Sequence, residues 1–262
     1  MQNNTLYASK TTYEFEKARI SESKEWLETV KRNMKGSYPE NLEYLDDFYD
    51  KDTGSSGTAF KDKDTREVIL AYTGTNFKSN LWNDGIKTDI GRIGLGLGDG
   101  HVNPARKFYE KIRTEYGDDI ILTGHSLGGN LAQWIALYYN VQKTIIYNSA
   151  PLHISSDNIV DVLDKLTKDT IIRTFGSLEP AKFVSRQLKP TQEESLEKIM
   201  KLEETFTGQV LRIQSESDIL TMVASALKGK YIGRESMSGE AIKALNQKLE
   251  EVNRSLEYYK CL

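Results

Sequence analysis

Apolar residues along this chain fall in short runs separated by charged and Gly-rich stretches, and the runs alternate between two periods. VILAYTGTN (68–76) is a continuous apolar run that stops abruptly in Thr and Gly, the mark of a buried strand entering a loop. DDIILTG (118–124) reads as a second strand, and SLGGNLAQWIALYYN (126–140) switches to a helix. KTIIYNSAP follows as a strand ending in a Pro turn, DNIVDVLDKLT as a helix, DTIIRTFGS as a strand and QEESLEKIMKLEE as a charged helix. GQVLRIQSESD (208–218) is a strand running into an acidic loop; after it ILTMVASALKG reads as helical and KYIG as a short strand. Upstream, VNPARKFYEKIRTEYG (102–117) has Pro near its start and Gly at its end, as a helix should. No internal repeat and no low-complexity linker divides the chain. The alternation predicts a single α/β domain over 1–262, a three-layer sandwich around a mostly parallel sheet.

The flanking segments follow other patterns. Residues 13–35 are charged, with Phe15, Ile20, Trp26, Leu27 and Val30 near helical spacing. They predict one or two surface helices within a helical cap over 1–50. KGSYPENLEYLDD reads as turns and a short amphipathic piece, and DKDTGSSGTAFKDKDTRE as turn, strand, turn. At the other end, Ile242, Leu245, Leu249, Val252 and Leu256 are spaced by alternating threes and fours. This predicts an amphipathic terminal helix over 239–260 with a narrow apolar seam, packed on the domain or meeting a helical partner. FKSNLWNDGIKTDIG (77–91) has helical character, and Gly91, Gly94, Gly96, Gly98 and Gly100 then make a loop that serves as a flap or a connector. No strand precedes those glycines and their spacing is not G-x-G-x-x-G, so a dinucleotide site is excluded.

Composition narrows the class. Lys and Arg total 35 against 38 Asp and Glu, a net charge of -3, with both signs spread along the chain. That gives no footprint for nucleic acid and no basic stripe for a membrane surface. Cys261 is the sole cysteine, so neither an intramolecular disulfide nor a cysteine-rich metal site is expected. The opening MQNNTLYASKTTYEFEKARI has no apolar core of a signal peptide, and no run reaches the ~18–20 apolar residues of a membrane span. The expectation is a protein without a transmembrane segment, cytoplasmic or exported without a conventional signal peptide.

The chemistry concentrates at ILTGHSLGGNLA (121–132). Gly124-His125-Ser126-Leu127-Gly128 fits the G-x-S-x-G nucleophile elbow, in which a strained strand-to-helix turn lifts a serine hydroxyl above the sheet. A strand before it and a helix after it are the context such a turn needs. An oxyanion hole then requires the backbone N–H of Leu127 and a donor from the loop after an earlier strand, for which Thr75 in AYTGTN is the candidate. One such donor is worth about 3–4 kcal/mol of barrier.

The ordered set AYTGTN, GDGHVNPARKFYEKI, ILTGHSLGGNLA, YNSAP and RIQSESDILTMV resembles the class 3 (fungal-type) lipase family over roughly residues 65–225. The elbow is the most specific piece. Thr73 stands where the family has Arg before Gly-Thr, Asn103-Pro104 where it has Gly-Phe, and Ile219-Leu220-Thr221 where D-x-V-P is usual. The resemblance implies an α/β-hydrolase fold and hydrolysis of carboxylic esters, often of acyl lipids, with transient contact to lipid and without cofactor or metal. It implies Ser126 as nucleophile, Thr75 and Leu127 as oxyanion donors and Asp218 as the triad acid. Asp218 also follows the strand GQVLRIQS, which puts it on the carboxyl edge of the sheet.

The base is the open position. These hydrolases run Ser, Asp, His along the chain, yet His101, His125 and His153 all precede Asp218. His125 adjoins the nucleophile and points away from it; His101 follows the glycine loop; His153, in APLHI, lies just past a strand end. Loss of a triad histidine costs about 10⁶ in turnover. Three solutions remain: a histidine supplied beyond Leu262, an internal histidine serving from an unusual position, or a catalytically impaired module that binds an acyl ligand.

Overall fold

The computed structural model describes residues 2–22, 25–74, 99–155, 193–215, 225 and 228–237. Two helices open the chain, α1 (Gln2–Ile20) and α2 (Trp26–Asn33), followed by β1 (Leu42–Tyr49), β2 (Ser56–Asp62) and β3 (Val68–Tyr72). Then come α3 (Asp99–Tyr116), β4 (Ile120–Ser126), α4 (Leu127–Tyr139) and β5 (Lys143–Ser149). A helix over 193–203, α5, precedes β6 (Gln209–Gln214) and β7 (Arg234–Met237). The seven strands form one sheet in sequence order, β1 to β7. The β1–β2 and β2–β3 pairs are antiparallel, and every pair from β3 to β7 is parallel.

The period-2 geometry of strands sorts the core into two layers. On β3, Val68, Leu70 and Tyr72 face one way with Ile120 and Leu122 of β4, packing under α3 and α4. Ile69, Ala71 and Ile121 face the other way, with Phe60, and are covered by Ala8, Phe15 and Ala18 of α1 and Val30 and Met34 of α2. Both faces of β3 and β4 are thus buried, which is why their sequences are continuous apolar runs. The result is the expected three-layer α/β sandwich with a mostly parallel sheet.

Several elements depart from the sequence reading. The N-terminal helix begins at Gln2, earlier than the expected start, and it caps the core with one face buried against the sheet. Its inner face mixes Ala8 and Phe15 with Thr5, Ser9, Thr11, Thr12 and Glu16, all buried. The apolar spacing is therefore weak, and three of the polar positions bond to the sheet: Thr5 Oγ1 with the Tyr147 hydroxyl at 2.8 Å, Thr12 Oγ1 with Thr58 Oγ1 at 2.9 Å, and Glu16 with Ser56 Oγ at 2.9 Å. The helical cap expected over 1–50 stops at Asn33, and the amphipathic piece after it is the edge strand β1. The Arg19 guanidinium holds both Asp47 carboxylate oxygens at 2.7 Å, tying the end of α1 to that strand. The last strand starts at Arg234, after KYIG; Lys230 makes only an isolated bridge to His153. The helix expected from 102 begins at Asp99, inside the glycine-rich stretch.

Outside the described residues lie 75–98, the helix and strand expected within 157–177, the helix after Asp218, and the amphipathic helix over 239–260. Among the described residues, no helix is long and apolar enough to cross a membrane.

Candidate active site

Ser126 closes β4 with φ 57 and ψ -126, and α4 starts at the next residue. A side chain at positive φ is strained, and this strained residue is where the strand gives way to the helix. Ser126 and His125 are partly exposed, whereas Ile120 to Gly124 and Leu127 to Leu137 are buried. The register between β4 and β5 slips between His125 and Ser126, so the serine pairs with Ser149. Its carbonyl oxygen accepts from the Ala150 N–H at 2.9 Å.

The turn has no room for side chains around the serine. A Cβ on Gly124 would lie 2.4 Å from the backbone of Gly128, and one on Gly128 would lie 2.2 Å from the Tyr72 carbonyl oxygen. The G-x-S-x-G spacing therefore records two close backbone crossings, elbow against helix and helix against β3. Gly129 is a third: a Cβ there would meet Ser149 Oγ at 2.5 Å.

Leu127 supplies the first N–H of α4, a position with no partner inside the helix and hence available to an anion. The end of β3 borders it, for a Cβ built on Gly74 would sit 3.3 Å from the Leu127 nitrogen. Thr75, the expected second donor, and Asp218, the expected acid, lie outside the described residues, as does the side chain of His101.

His125 and His153 are described, and neither hydrogen-bonds to Ser126. The His125 ring faces α1, edge-on to the ring of Tyr13 at 6.4 Å between centroids, with Nδ1 3.5 Å from the Tyr13 hydroxyl. His153 follows β5 and is buried, its carbonyl oxygen accepting from the Lys230 N–H at 2.8 Å. Burial, and then the charge of Lys230, holds its ring below the ordinary value, so it stays neutral near pH 7.

The sequence reading missed the polar side chains that brace this edge. Gln133, fully buried on α4, donates from Nε2 to Ser149 Oγ at 3.0 Å and to the Ala150 carbonyl at 3.1 Å. Its Oε1 accepts from the Ile232 N–H at 3.3 Å, joining the elbow helix to the segment before β7. Asn130 donates to the Pro151 carbonyl at 2.6 Å. Asn148, at φ 40, accepts from the Ser215 N–H at 2.8 Å and so fixes where the chain leaves β6. A visible signal existed: Asn130 and Gln133 are amides inside an otherwise apolar helix, and such groups need internal partners.

Comparison with known proteins adds a family. A family model described as a phospholipase-like, Tle-like phospholipase domain matches residues 21–169. No curated protein matches this chain. Among solved structures, lipase II from Rhizopus niveus is similar at 13% identity and TM-score 0.44, covering 90% of this chain and 80% of that one. A lipase from Rhizopus microsporus var. chinensis shares 13% identity at TM-score 0.47, covering 90% and 74%. A triacylglycerol lipase from Penicillium expansum shares 12% at 0.43, covering 76% and 70%. At these identities none of them assigns a role to any residue here.

Proposed function

From the premise that this chain belongs to the Tle-like phospholipase domain family, we propose that it is a serine hydrolase cleaving carboxylic esters of acyl lipids through an acyl-enzyme on Ser126. The family places it among lipid ester hydrolases, in line with the resemblance to class 3 lipases. The observation that carries the finer reading is the backbone of Ser126, a non-glycine residue at φ 57 and ψ -126 between a buried strand and a buried helix.

In this reading Ser126 Oγ attacks the ester carbonyl carbon and passes its proton to a base. The carbonyl oxygen becomes an oxyanion that accepts from the Leu127 N–H, with Thr75 as second donor. Collapse expels the alcohol, which takes up the proton, and water then releases the fatty acid from the serine by the same steps in reverse. Asp218 orients the base histidine. Asn148, by fixing Ser215, supports an acid just beyond β6. The substrate is an acyl ester, with contact to its lipid surface only in passing; nothing in the chemistry calls for metal or cofactor.

A second reading is a lipid-binding module with impaired chemistry. It is favoured by the two described histidines, since the His125 ring faces Tyr13 and His153 is buried, and neither is hydrogen-bonded to Ser126. A fluorophosphonate probe separates the two. The hydrolase reading expects labelling of Ser126 that vanishes in Ser126→Ala, with fatty acid released from phospholipid vesicles. Folded protein that takes no label supports the binding module instead.

A further inference from the structure

The helix α1 is built onto the C-terminal end of β3 through three side chains, and one of them reaches the elbow. Thr12 Oγ1 donates to the Ala71 carbonyl at 3.3 Å. Glu16 Oε1 accepts from Ser56 Oγ at 2.9 Å, and that hydroxyl bonds in turn to Thr73 Oγ1. Between them, the Tyr13 hydroxyl accepts from the Gly74 N–H at 2.9 Å and donates to the His125 carbonyl at 3.3 Å, with His125 Nδ1 at 3.5 Å.

This hydroxyl therefore touches both sides of the place where a carbonyl oxygen would be received. Gly74 lies two residues past β3 and is buried; His125 immediately precedes Ser126. A Cβ on Gly74 would be 2.8 Å from the Tyr13 hydroxyl, 3.0 Å from the His125 carbonyl and 3.3 Å from the Leu127 nitrogen, so the four groups share one small volume. The β3–β4 ladder ends at Tyr72 and Gly124, so strand pairing does not extend to Gly74 and His125. An oxyanion donor contributes only if it is already in place when charge develops. Displacements of about 1 Å in positioning groups cost up to about 10² in rate.

We propose that Tyr13 is a positioning residue of this esterase site: its hydroxyl clamps Gly74 to His125 and so fixes the Leu127 N–H against the end of β3. The inference rests on the hydrolase reading above. Tyr13 does not itself contact the reacting atoms. It acts through the two segments it joins, which makes α1 a working part of the site.

The test uses the full chain and Tyr13→Phe, which keeps the ring against His125 and removes the hydroxyl that bonds Gly74 and His125. Thermal melting and circular dichroism confirm that the variant is folded. Turnover of a short-chain p-nitrophenyl ester is expected to fall about 10- to 100-fold in kcat with KM within about twofold. Affinity for a trifluoromethyl ketone, which forms an oxyanion on the serine, is expected to fall in parallel. Exchange of the Gly74 amide, which has lost its acceptor, is expected to speed up. Wild-type protein that turns over the ester, with Tyr13→Phe matching it in kcat, overturns the clamp and leaves the hydrolase reading standing. Unchanged Gly74 exchange in the variant also overturns the clamp. A wild-type chain with neither labelling nor turnover overturns the hydrolase reading, and the clamp with it.

Discussion

Single side chains at the carboxyl edge do work that their residue types conceal. Gln133 holds Ser149, Ala150 and Ile232 from one buried amide. Replacing it by Leu fills the space and leaves the Ile232 N–H without its acceptor; at about 1–3 kcal/mol for an orphaned buried group, a denaturant titration should show a loss of that order. Gly128→Ala is expected to be worse, because its Cβ meets the Tyr72 carbonyl at 2.2 Å and neither the strand nor the helix has anywhere to go. Little or no folded, soluble protein is the expected result on expression. His153 sets a pH dependence. Its native value lies below the ordinary 6.5, so the unfolded chain takes the proton first as pH falls. The neutral ring's contribution to stability is complete above about pH 6.5 and is lost progressively below it. Melting temperatures from pH 8 to pH 5 should fall less steeply in His153→Gln; equal slopes would remove His153 from the account. At this scale the sequence displayed Ser126, Gly124, Gly128 and Leu127, because a local turn sets their spacing. Tyr13 was not legible, since nothing local connects it to Gly74, 61 residues away.

At the scale of elements, legibility followed periodicity. Strands β3, β4 and β5 and helices α3 and α4 show plain apolar patterns because two-sided or one-sided burial dictates them. Helix α1 does not, because its sheet-facing side places Thr5, Thr12 and Glu16 in hydrogen bonds to the sheet where apolar contact was expected, and a pattern of apolar spacing is blind to that exchange. Strand β1 was misread for a related reason: at the sheet edge most of its residues are only half-buried, so LEYLDDFY carries acids that break the alternation. Phe15 marks how much α1 contributes. It is 1% exposed, stacked on Tyr44 with centroids 5.0 Å apart, and packed edge-on against Phe60. Phe15→Ala is expected to cost about 3–5 kcal/mol, measurable as a shift in the unfolding midpoint.

At the scale of the whole molecule, the sheet order among the described residues runs with the sequence, which places β4 at the middle of the seven described strands. Ser126 therefore stands at the end of a central strand whose Ile120 to Gly124 are buried, while β1 and β7 flank the described sheet. Local stability should follow that geometry. Amide exchange is expected to be slowest from Ile121 to Thr123 and fastest in β1 and β7; comparable protection across all seven strands would contradict it. The fold class was readable from alternation alone. The base that the proposed mechanism needs was not: the His125 ring faces Tyr13 and the His153 ring is buried, and which histidine reaches a serine is a question of tertiary placement that spacing along the chain does not answer.

The backbone of Ser126 bears on the choice between a working hydrolase and a degenerate one. A side chain at φ 57 and ψ -126 costs of order 1–3 kcal/mol that a glycine would not. In the fold alone, Ser126→Gly should therefore melt at or above the wild-type temperature even though it abolishes any chemistry. A lineage that had ceased to use the hydroxyl would gain stability by a single substitution at this codon. A serine still occupying so unfavourable a backbone geometry is the outcome expected where selection acts on reactivity and tolerates the loss in stability.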